Sequence, residues 1–204
     1  MTKTPGLQPL SKRTLRLLAI EEDLEHRQLI AKSLQKVPGG RYVVEWATTL
    51  AAFKEQLETE GFDAAVVVPR LEPAELGKLV SDLRALCQET AIILLAGEES
   101  AAGEQAGCEM AVDFLMSKSD LSPKGIDRAI RYAIRNRDQQ LRLMNFSRLV
   151  AHDLMGPVGN VRSAAETLGM VLPDFGEDSK ELMEVLRADC DNLMEILSAL
   201  HEFS

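Results

Sequence analysis

Apolar and polar positions along the chain follow two rhythms. Up to about residue 115, short apolar runs alternate with segments of helical period. Leu15 to Ile20, Tyr42 to Trp46, Ala64 to Val68, Ala91 to Leu95 and Ala111 to Leu115 read as strands. The third and fourth are wholly apolar, as strands buried on both faces are. Between them, Leu24 to Val37 reads as a helix closed by Pro38-Gly39-Gly40, Leu50 to Glu60 as a helix ending before Gly61, Glu72 to Leu86 as a helix, and Ala101 to Gly107 as a short one. Five strands alternating with helices predict βαβ units, and so an α/β, doubly wound, five-stranded parallel sheet.

From about residue 122 only the helical period remains. A helix is expected to start near Ser122-Pro123, proline being favourable in a first turn. Ile126, Ile130, Ala133 and Ile134 form its apolar side, and Arg128, Arg131 and Arg135 another. No Gly or Pro interrupts Ile126 to Met155, which predicts a nearly continuous helix with Leu141 and Met144 in its seam. Val150, Leu154, Val158, Val161, Ala165, Leu168 and Leu172 then make one apolar stripe. Pro157 lies within this segment and is expected to bend it. Pro173 to Ser179 reads as a turn. Leu182, Leu186, Leu193, Ile196, Leu200 and Phe203 follow in a heptad-like stripe that holds Asp189 in one slot and is widened by Met183, Cys190 and Leu197. A lone two-helix hairpin with such stripes would leave apolar area uncovered, and pairing two hairpins into a four-helix bundle would remove it.

Composition narrows the function classes. The chain has 204 residues, room for one or two domains, and 46% hydrophobic but only 4% aromatic residues, so its core is aliphatic. A net charge of −9 argues against nucleic acid as a general partner. No apolar run is long enough for a membrane span and no signal-peptide pattern opens the chain, so a cytoplasmic protein is expected. Cys87, Cys108 and Cys190 are far apart and odd in number, with neither zinc spacing nor a disulfide framework. No nucleotide-binding loop is visible, so no cofactor and no metal is expected on this chain.

The residue with the clearest chemical context is His152. It falls opposite the apolar stripe and beside Asp153, with Pro157 five residues on. An exposed imidazole is nucleophilic near neutral pH, and an adjoining carboxylate can orient it or take its proton. The run Ala151-His-Asp-Leu154 followed by Pro157-Val-Gly-Asn-Val161 resembles the phosphoacceptor box of two-component histidine kinases. The resemblance implies that His152 accepts a phosphoryl group, that Asp153 acts as acid, base or orienting group, that Pro157 and Asn160 support them, and that the hairpin homodimerises. His26 and His201 lack this context and read as surface residues.

The order and spacing of residues 14 to 137 resemble the receiver domain of response regulators. Glu21-Glu22-Asp23 after the first strand matches the acidic cluster that holds Mg²⁺ in that family. The departures are severe: Val68 stands at the phosphoacceptor aspartate, Ala96 at the Thr/Ser position, and Ser117 at the lysine position with Lys118 displaced by one. The resemblance thus implies a non-phosphorylatable pseudo-receiver; Glu21 and Glu22 read as acidic surface at the carboxyl edge of the sheet, with weak binding of a divalent ion as the alternative.

Together these readings predict a tail over 1–13, a receiver-like core over 14–122, a last helix and linker over 123–146, and a phosphoacceptor hairpin over 147–204. The expected function is two-component signal transduction as part of a histidine kinase. Mg-ATP would be held by a catalytic domain absent from this chain, and the expected partners are that domain, a second copy of the chain and a response-regulator receiver. A fragment of a longer kinase is the reading favoured by the sequence. A stand-alone phosphotransfer protein and a non-catalytic docking module are the alternatives.

Overall fold

A computed structural model describes residues 13–68, 73–96, 112–171 and 177–202. The strands are β1 (Leu15–Ile20), β2 (Tyr42–Ala47), β3 (Ala64–Val67), β4 (Ala91–Ala96) and β5 (Phe114–Ser117). The helices are α1 (Leu24–Gln35), α2 (Leu50–Thr59), α3 (Pro73–Leu86), α4 (Pro123–Val171) and α5 (Glu177–Glu202), with a 3-10 turn at Lys118–Asp120. The helix expected over 101–107 lies outside the described residues.

Local chemistry sets several boundaries. Asp23 caps α1 by accepting the backbone N–H groups of Glu25 and His26, and Thr49 caps α2 by accepting that of Ala52. Gly39 carries a φ of 70° just past α1, a conformation that glycine adopts without steric cost. A Cβ on Gly125 would lie 2.6 Å from the Asp120 carbonyl oxygen, so α4 can start against the preceding turn only with glycine there.

All strand pairs are parallel, in the order β2-β1-β3-β4-β5. This is a flavodoxin-like doubly wound sheet, whose strand order reverses direction at β1/β3. Side chains alternate across it. Leu15, Leu17 and Ala19 join Ile30 and Leu34 of α1 and Ile126, Ile130 and Ala133 of α4 on one face. Leu18, Ala65 and Ile92 join Phe53 and Leu57 of α2 and Leu79 and Leu83 of α3 on the other. β3 and β4 are apolar throughout because both of their faces are covered.

One expected strand moves. β5 runs from Phe114 to Ser117 rather than 111 to 115, because Asp113 is committed elsewhere. Its buried Oδ2 accepts the Ile92 N–H at 2.6 Å and pairs with Arg84 Nη2 at 2.6 Å. Asp63 plays a similar part before β3, accepting the Arg16 N–H at 2.8 Å and pairing with Arg13 at 2.7 Å. Both aspartates therefore staple the amino edge of the sheet.

Packing divides the chain into two units, residues 1–138 and 139–204. In the second unit, α5 packs on the C-terminal portion of α4. Arg162 Nη1 lies 3.0 Å from Asp191 Oδ1, and Arg187 Nη2 donates to the Glu166 carbonyl at 3.5 Å. Ala151, Ala165, Cys190 and Leu197 are the buried residues of this seam.

Candidate functional site

His152 and Asp153 stand near the middle of α4, on a helix that continues through Pro157. Consecutive helical residues do not face each other, yet here the side chains lean together: His152 Nδ1 lies 3.3 Å from Asp153 Oδ1. The imidazole is 78% exposed and the carboxylate 68%. An accessible ring whose Nδ1 is beside a carboxylate leaves Nε2 facing outward. Pro157 and Asn160, about one and two turns on, are exposed. Gly156 has open space where a Cβ would be.

The helices beside this histidine carry two adjacent heptad stripes. The buried seam uses Cys190 and Leu197 with the half-buried Met183 and Met194. The stripe one residue away is Leu182, Leu186, Leu193 and Ile196, and it stays exposed. The residues expected only to widen the stripe are thus the ones that close the hairpin. The described residues of the expected main stripe, Leu182, Leu186, Leu193, Ile196 and Leu200, are exposed, as are Leu154, Val161 and Leu168 of α4, and Phe203 lies outside the described residues.

The carboxyl edge of the sheet gathers the other candidates. Glu21 follows β1, Val68 follows β3, Ala96 ends β4 and Lys118 follows β5. Val68 is buried in the core on the α1/α4 side of the sheet, and its N–H donates to the Ile20 carbonyl at 3.2 Å. Asp63, at the opposite edge, is nowhere near this position.

Two surface expectations, for Glu21 and His26, are corrected here. Glu21 is not surface: it is 1% exposed, and its Oε1 accepts the Asp23 N–H at 3.0 Å. Lys118 is not lost to the site by its one-residue displacement. The 3-10 turn after Ser117 carries its Nζ to 3.6 Å from Glu21 Oε2. His26, expected on the surface, also reaches that oxygen, with Nδ1 at 3.3 Å. Its spacing five residues after Glu21, just inside a helix that starts at the sheet edge, was the available signal. Glu22 is exposed.

The strand order is that of a known architecture. The sheet unit has the fold of a response-regulator receiver domain. Among solved structures, the chain is similar to a CheY-like response regulator receiver domain protein from Methanospirillum hungatei JF-1, at 19% identity and a TM-score of 0.52, over 63% of this chain and 99% of that one. Full-length FixJ from B. japonicum matches at 17% identity and a TM-score of 0.53, over 94% of this chain and 100% of that one. A structure described as an adenylate cyclase from Rhodopirellula baltica matches at 15% and 0.53, over 66% and 97%. Neither a protein-family profile nor a curated sequence matches the chain. Identities this low carry the receiver fold and nothing about activity. No helix among the described residues is long and apolar enough to cross a membrane.

Proposed function

We propose that the chain serves two-component signalling as the phosphoacceptor and dimerisation part of a histidine kinase, with a receiver-fold unit that is not itself phosphorylated. The observation that carries this reading is the exposed His152–Asp153 pair on a helix whose neighbouring apolar stripe is uncovered. In the proposed step, His152 Nε2 attacks the γ-phosphorus of ATP held by a separate catalytic domain. The bond from that phosphorus to the β,γ-bridging oxygen breaks, ADP leaves, and the Nδ1 proton passes to Asp153 or water. The phosphoryl group then moves to an aspartate of a partner receiver. Such transfers depend on positioning and electrostatics more than on covalent rearrangement of the protein.

A second copy is the proposed cover for the exposed stripe. Covering a half-exposed leucine is worth roughly 1 kcal/mol, so the exposed residues of α4 and α5 supply several kcal/mol per chain. Within the receiver-fold unit, Val68 offers no oxygen to phosphorylate and Ala96 no hydroxyl, so acetyl phosphate should add no mass to residues 1 to 137.

The test supplies a histidine-kinase catalytic domain and Mg-ATP to the full chain. The expected product is an acid-labile, base-stable phosphoryl group on His152, absent from His152→Gln with helicity unchanged. Unchanged labelling of that variant would refute the assignment. Absence of label on the wild type would favour a docking module instead.

A further inference from the structure

The resemblance to metal-dependent receivers implies Mg²⁺ at the carboxyl edge of the sheet, and the residues there do not fit it. Mg²⁺ asks for near-octahedral oxygen donors and gives up its waters reluctantly, so several carboxylates must converge on it. Among the described residues Glu21 is the one buried carboxylate at this edge, and Asp23 Oδ2 lies 3.8 Å from His26 Nδ1. Asp23 Oδ1 is engaged in capping α1, at 2.8 Å from the Glu25 N–H and 3.3 Å from that of His26. Glu22 is exposed, and Val68 brings no oxygen. Among the described residues, no three His, Cys, Asp or Glu side chains are grouped to hold a metal ion.

A buried carboxylate still needs positive charge. Glu21 Oε2 is buried and accepts no hydrogen bond, yet two nitrogen-bearing side chains converge on it: Lys118 Nζ at 3.6 Å and His26 Nδ1 at 3.3 Å. Lys118 is the permanent cation of the two and is itself mostly buried, at 22% exposed. We infer that Lys118 is a built-in cation that takes the place of the divalent ion, closing the site without metal. Its ammonium, carried on the turn after β5, ties that turn to the end of β1 across the sheet. The 3-10 turn after β5 sets the Lys118 amine beside the carboxylate that a metal would otherwise hold. The carboxyl edge is then held in one arrangement whatever the Mg²⁺ concentration. This inference shares Val68 with the reading of the unit as non-phosphorylatable, but its test involves no phosphate, so the two fail separately.

The experiment is thermal unfolding of the full chain in EDTA, MgCl₂ or MnCl₂, followed by fluorescence of Trp46, the one tryptophan of the sequence and a residue of β2. The wild-type midpoint should be the same in all three. Lys118→Met should lower it by roughly 4 °C in EDTA, and by as much in MgCl₂ or MnCl₂, because a single carboxylate does not hold a divalent ion. Lys118→Gln, which keeps most of the length without the charge, should behave alike, and Lys118→Arg should melt like the wild type. In a Glu21→Gln background, Lys118→Met should cost nothing further. A wild-type midpoint raised by Mg²⁺ or Mn²⁺ would overturn the inference, as would a Lys118→Met variant that melts like the wild type. A Lys118→Met loss that persists in full in the Glu21→Gln background would make the lysine a packing residue and overturn it equally.

Discussion

Leu17 in the sheet unit and Leu193 in the hairpin are both leucines in regular, apolar-patterned elements. The first is fully buried and the second is 47% exposed. β1 is covered on one face by α1 and α4 and on the other by α2 and α3, so its apolar residues find cover within one chain. A hairpin of two helices has no such second layer. Each of its helices has one buried seam and one apolar stripe left over, because two helices can cover only one side of each other. The difference teaches where each unit's stability comes from. Among the described residues, the apolar side chains of the sheet are covered within its unit, whereas the hairpin leaves one apolar stripe exposed.

The sharpest way to break this comparison is to truncate leucines on both sides. Leu17→Ala should cost about 3 kcal/mol of folding stability, as transfer and cavity terms add in a closed core. The loss should be read from denaturant unfolding of Trp46 fluorescence and should not depend on protein concentration. Leu193→Ala should leave that transition unmoved. A Leu17→Ala cost under about 1 kcal/mol would mean that the sheet core is looser than its burial indicates.

Next in size is the amino-edge staple. Asp113→Ala leaves the mostly buried Arg84 guanidinium without its carboxylate and the Ile92 N–H without its acceptor. Removing one partner of a buried ion pair costs about 3 kcal/mol, somewhat less here because Arg84 keeps its 3.0 Å bond to the Thr90 carbonyl. Asp113→Asn, which preserves an acceptor, should recover part of the loss in the same unfolding measurement.

The hairpin side of the comparison is sharpened by Leu193→Glu. A charge placed in a covered apolar stripe is costly, so a wild type that sediments as a dimer should become a monomer with its helical circular dichroism retained. A wild type that sediments as a monomer at micromolar concentration would sink the proposed second copy.

The smallest expected effect is that of a surface pair. A hydrogen bond from Lys54, 2.7 Å away, holds the Asp82 carboxyl below its ordinary range. A carboxylate depressed in the folded state stabilises it above the unfolded pKa, and that contribution is lost as pH falls through the folded value. Asp82 is about half exposed and its partner Lys54 reaches solvent too, so Asp82→Asn should shift the midpoint barely at neutral pH and not at all in acid. A large shift would show that this link between α2 and α3 matters more than its exposure indicates.

Much of the fold was legible from residue order. β3 and β4 announce themselves because a strand buried on both faces has nowhere to place a polar side chain. α1 and α2 announce themselves through helical period and through the stops at Pro38-Gly39-Gly40 and Gly61, while their caps at Asp23 and Thr49 came from the structure. The position of β5 was not legible. Val112 and Asp113 look like its opening, and only the approach of Arg84 and Ile92 from other elements draws Asp113 out of the strand.

The candidate site divides the same way. The exposure of His152 followed from helical period alone, since a residue opposite an apolar stripe faces water. The sequence by itself thus determined the alternation of elements, the two-sided burial of the central strands, and the side of α4 on which His152 stands, because these depend on local period and capping. Only the tertiary structure decided three further matters: which of two adjacent stripes closes the hairpin, that Glu21 is buried, and that Lys118 and His26 meet it. Each depends on side chains brought together from separate elements. Neither a one-residue offset in a helix nor a turn that swings a lysine across the end of a sheet has any counterpart in the linear pattern.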